Sequence, residues 1–124
     1  MASVTAKATH DVEYLQWLKE IDFYKSQLKK MQGELEAFLP TFYSRDFAAR
    51  IEQFQNRFIR QREVIDILRH DVKAHENSIE ALRILPTPDL RDRVERMHNR
   101  LRKDVIVFVD LFVELEQDFN DFLA

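Results

Sequence analysis

Apolar residues recur at alternating steps of three and four along nearly the whole chain, a pattern that only long packed helices sustain. One run is Tyr14, Trp17, Ile21, Tyr24, Leu28, Met31, Leu35 and Phe38. A second is Phe47, Ile51, Phe54, Phe58, Gln61, Ile65, Leu68, Val72, His75, Ile79 and Leu82. A third is Val94, His98, Leu101, Val105, Phe108, Phe112, Leu115, Phe119 and Phe122. Of these 28 seam positions 25 are apolar, and Gln61, His75 and His98 form the polar seam. A repeat averaging 3.5 residues implies left-handed supercoiled packing. The expected fold class is therefore all-α: an elongated up-down-up three-helix bundle with coiled-coil-like heptads.

Local signals divide the seams. Thr9 is a candidate N-cap with Asp11 in the first turn, and Pro40 ends the first helix. Ser44 caps the second, with Asp46 favourable to the helix dipole. Thr87 caps the third, Pro88 sits where a missing N–H costs nothing, and Asp89 follows. The helices are expected at about 9–39, 44–83 and 88–123 in a single domain spanning residues 1–124. At ~1.5 Å per residue the rod is roughly 45–60 Å long. Val105-Ile106-Val107-Phe108-Val109 has the composition of a strand, but the heptad runs through it unbroken, so helix is expected. With short connections, His75 should lie opposite His98, and Gln61 opposite Phe112 and Ile21. The architecture resembles that of spectrin repeats, without a family-specific motif.

Composition excludes several function classes. The chain has 124 residues, one Gly, three Pro and no Cys. A single Gly leaves no material for a phosphate-binding loop. The lack of Cys removes disulfides, thiolate chemistry and Cys-ligated zinc, and is compatible with a cytoplasmic location. Met1 to His10 lacks an apolar core of signal-peptide length, and no stretch approaches the ~18 uncharged apolar residues of a membrane span. There is no nucleophile elbow and no His-Glu-x-x-His, so no enzyme is expected and no cofactor is implied.

The third helix carries more apolar surface than one seam requires. Nine of the eleven residues from Val105 to Leu115 are apolar. Ile106, Val109 and Val113 form a stripe beside the seam, and Phe23 and Ile59 fall at about the same level. A helix apolar nearly all round is usually buried nearly all round. The expectation is a homodimer through the third helix, with Ile106, Val109 and Val113 at its centre. Another protein partner, or a broad intramolecular face, would use the same residues.

Two further constellations carry chemistry in principle. His75 and His98 share a layer, and Glu95 precedes His98 by three residues. This resembles half of the Glu-x-x-His arrangement in carboxylate-bridged di-iron bundles. His75, His98 and Glu95 are thus weak metal candidates, with a metal- or small-ligand-binding bundle as the alternative function. The competing reading is a polar layer that fixes register.

Charge is also uneven. Arg91 to Lys103 holds six cations and two anions, whereas Asp104 to Ala124 holds six anions and no cation. Arg93, Arg96, Arg100 and Lys103 share an outward face. Phosphates could dock there, but with a net charge of −3 and no interleaved aromatics, nucleic acid is not the expected partner. In an antiparallel dimer of third helices, basic and acidic halves would face each other. Ten Phe, with Phe38, Phe42, Phe47, Phe54, Phe119 and Phe122 near one end, imply an aromatic core cap.

Overall fold

The computed structural model describes residues 2–39 and 44–124, with side-chain surroundings from Val12 onward. Three helices, α1 (Ala2–Glu36), α2 (Arg45–Ile84) and α3 (Pro88–Leu123), pack as an up-down-up bundle. No strand occurs among the described residues, and Val105–Val109 is helical.

Boundaries follow the caps except in α1. Ser44 Oγ accepts from Phe47 N–H at 3.2 Å, and Thr87 Oγ1 accepts from Leu90 N–H at 3.2 Å. The expected start near Thr9 is corrected: the chain is already helical at Ala2. Nothing between Ala2 and Thr9 breaks a helix, and three of those residues are alanine, the strongest helix former. The expected end near residue 39 also moves. Helix α1 stops at Glu36, and the chain tightens into i→i−3 bonds from Phe38 to Leu35 (3.0 Å) and Leu39 to Glu36 (3.1 Å). An approaching proline disfavours helical backbone in the residue before it. Pro40 itself lies outside the described residues.

Among the described residues, every buried one falls on one of the three seams. They form a continuous core from Tyr14 and Trp17 to the aromatic end. There, Phe47 stacks on Phe122 at 5.2 Å, and Phe54 meets Phe119 at 5.4 Å and Phe122 at 5.0 Å. Phe38 closes this end against Phe47 and Phe122, each at 6.3 Å. Phe42 lies outside the described residues.

The α1–α2 register differs from expectation. Asp22 pairs with Arg69, and the Tyr14 hydroxyl donates to Glu76. Ile21 therefore lies at the level of Arg69, about two turns from Gln61. Gln61's neighbour Arg62 lines a groove with Leu28 and Lys29 instead. Eight residues separate Glu36 from Arg45, against three between Ile84 and Pro88, so α2 need not begin level with the end of α1 as a tight turn would require.

Candidate functional site

Three grooves run between the helices, and helical spacing assigns each candidate residue to one of them. Glu13 and Arg102 bridge α1 to α3, Arg69 and Asp22 bridge α2 to α1, and Arg57 reaches Asp118 across the α2–α3 side at 3.0 Å.

Ile106 and Val109 line the α1–α3 groove with Trp17 and Glu20. Val113, seven residues beyond Ile106, continues its stripe. Phe23, three residues beyond Glu20, lies on the same side of α1. Ile106, Val113 and Phe23 are 55%, 47% and 56% exposed. Val109 is partly buried and packs against the core, so it belongs in part to the bundle itself. Ile59 is 54% exposed but sits one turn before Arg62, on the side of α2 that faces α1. Helical spacing thus puts Phe23 and Val113 on the groove that Ile106 and Val109 line, and Ile59 on the α1–α2 side. Two exposed residues missed in the sequence, Val107 and Leu111, extend the apolar surface of α3 toward the α2–α3 side. The nine-in-eleven apolar run already contained them.

At the other end lies a buried polar layer. His75 and His98 are 1% and 0% exposed, and His75 Nε2 lies 2.9 Å from His98 Nδ1. His98 is flanked by Trp17, with ring centroids 4.7 Å apart. Its Nε2 is 3.3 Å from Glu13 Oε1. Glu13 also accepts two bonds from Arg102, at 2.9 Å from Nε and 2.7 Å from Nη2. Such a forked pair is stronger than a single neutral hydrogen bond. The Arg102 bonds, with help from His98, hold the Glu13 carboxyl at about 2, against the opposing effect of burial. Glu13 in turn raises Arg102 further. The Tyr14 hydroxyl is pushed up to about 12, by burial first and then by Glu76.

Glu13, from α1, brings a carboxylate to His98, while Glu95 lies half-buried on His98's own helix. Among the described residues no group of three or more His, Asp or Glu is arranged to hold a metal ion. Glu13 is already engaged by a guanidinium. The groove beside His75, lined by Asp71, Ser78, Met97 and Arg100, measures about 260 Å³. That falls below the usual range of small-molecule sites. The third polar seam residue, Gln61, is half-buried, and its Oε1 accepts no hydrogen bond among the described residues.

Arg93, Arg96, Arg100 and Lys103 are all exposed. Arg100 reaches Asp104, one turn on, at 3.9 Å. None of the described helices is long and apolar enough to cross a membrane. Comparison with family models, with curated proteins and with solved structures finds no match.

Proposed function

We propose that this chain is a non-enzymatic structural module that self-associates through α3, presenting a rigid helical surface rather than a pocket. A cytoplasmic setting suits a cysteine-free chain of this kind. The observation that carries the reading is the apolar surface left after the bundle closes. Ile106, Val107, Leu111 and Val113 lie within two turns of one helix and remain about half-exposed. Single exposed apolar residues are ordinary, but four at one level of a rod, in two stripes on either side of Lys103 and Asp110, point to an interface.

The histidine layer serves this reading as a register device. Its polar atoms bond across all three helices, which disfavours slipped packings of otherwise similar seams. A rod with one defined register presents its surface residues at defined positions.

The test is Ile106→Glu together with Val113→Glu, both exposed. Val109 is unsuitable because it contributes to the core. The expected result is a dimer converted to a monomer at unchanged helicity. An unchanged mass, with helicity intact, would contradict this surface.

A further inference from the structure

Resting on self-association through α3, we infer that the second copy lies antiparallel along this helix, about a two-fold axis beside Val107. In a heptad bundle, residues seven apart form one straight stripe. On the outer surface of α3 one stripe reads Arg93, Arg100, Val107, Glu114, Asp121, and all five are exposed. Its signs are two positive, one neutral and two negative, reversing about Val107. The adjacent outward stripe reads Arg96, Lys103, Asp110, Gln117 and changes sign at the same height.

An antiparallel copy centred on Val107 sets Arg100 against Glu114 of the partner subunit and Arg93 against Asp121 of the partner subunit. The same axis brings Lys103 to Asp110 of the partner subunit, so one operator satisfies both stripes. Two-fold symmetry repeats each pair. A parallel copy would oppose Arg100 to its own equivalent, and Glu114 likewise. Val107 lies close to the middle of Pro88–Leu123, so nearly the whole helix overlaps its partner.

Ile106 and Val107 flank the Lys103–Asp110 stripe at the level of the axis and supply apolar contact, while the charges set direction. Within the bundle these charges have little competing use. Among the described residues Arg93, Lys103, Asp110, Glu114 and Asp121 take part in no ion pair, and Arg100 has only the long contact to Asp104. The order of charge along α3 also opposes its own dipole, with cations early and anions late. An antiparallel neighbour relieves both.

The absence of cysteine makes the test direct. Arg100→Cys and Glu114→Cys are prepared separately, and each alone and their mixture are treated with a short bis-maleimide. The arrangement predicts cross-linked dimer at least tenfold more abundant in the mixture than in either variant alone. Cross-linking of each variant with itself would overturn it. In parallel, Glu114→Arg places a cation one turn from both Asp110 and Asp118, which favours the helix. It should nevertheless weaken the dimer at least tenfold by meeting Arg100 of the partner subunit, and adding Arg100→Glu should restore it. If the unaltered chain dimerises but Glu114→Arg leaves it unchanged, the axis is wrong and self-association stands. If the unaltered chain is monomeric at every concentration, both fall.

Discussion

His75 and His98 share a hydrogen bond of 2.9 Å between two buried rings, and Glu13 fixes its direction. An ionised carboxylate only accepts, so His98 must carry a proton on Nε2. When that ring is neutral its Nδ1 is an acceptor, so His75 donates from Nε2. The chain of donors therefore runs from α2 through α3 to α1.

This direction predicts the tautomers. At pH 8, long-range ¹H–¹⁵N correlation spectra should show His75 and His98 both protonated at Nε2. An Nδ1-protonated ring at either position would contradict the assigned direction.

The Glu13 carboxyl predicts acid sensitivity with a definite sign. Its folded value, about 2, lies below the ordinary 4.5. Its contribution is therefore fully present above about pH 4.5 and is lost as pH falls toward 2. The full shift would correspond to about 3 kcal/mol at ~1.36 kcal/mol per unit. Arg102 is 42% exposed, so solvent screening reduces this to about 1–2 kcal/mol. Denaturant titrations from pH 6 to 2 should show wild type losing about that much more stability than Glu13→Gln. Parallel curves would show that the pairing contributes nothing.

The seams were legible because a periodicity near 3.5 is read from residue spacing alone, and every buried side chain among the described residues falls on them. The pairing of His75 with His98 was legible because the α2–α3 connection is short and punctuated by Thr87 and Pro88. Glu13 was harder to place. It comes from the first helix, and its level against α3 depends on two successive registers, one of which shifts because eight residues separate α1 from α2. The available signal was its position beside the Tyr14 seam, where an acidic residue commonly meets a cation flanking the adjacent seam, as Arg102 does. Ile59 was misgrouped because level along a rod says nothing about which side of the helix a residue occupies.

The seam assignment predicts a steep contrast between neighbours. Phe112 is fully buried, with its ring 4.7 Å from Tyr24, whereas adjacent Leu111 is half-exposed. Phe112→Ala should cost about 3–5 kcal/mol of stability. Leu111→Ala, measured in the same denaturant series below the concentration at which copies associate, should cost under about 1 kcal/mol. Equal losses would mean that the core is drawn wrongly.

Gly33 offers a gain. It lies inside α1 without positive φ, and a Cβ added there would meet nothing within 4 Å. Gly33→Ala should therefore raise stability by about 0.5–1 kcal/mol through the unfolded chain's lost freedom and better helix propensity. A lower melting temperature would indicate that this groove needs its glycine.

The most direct test of self-association is absolute mass by equilibrium sedimentation across a wide range of protein concentration, because a rod migrates misleadingly on a sizing column. Self-association through α3 predicts a mass near twice 14.9 kDa at the upper concentrations, falling reversibly on dilution. A mass of 14.9 kDa throughout would contradict it.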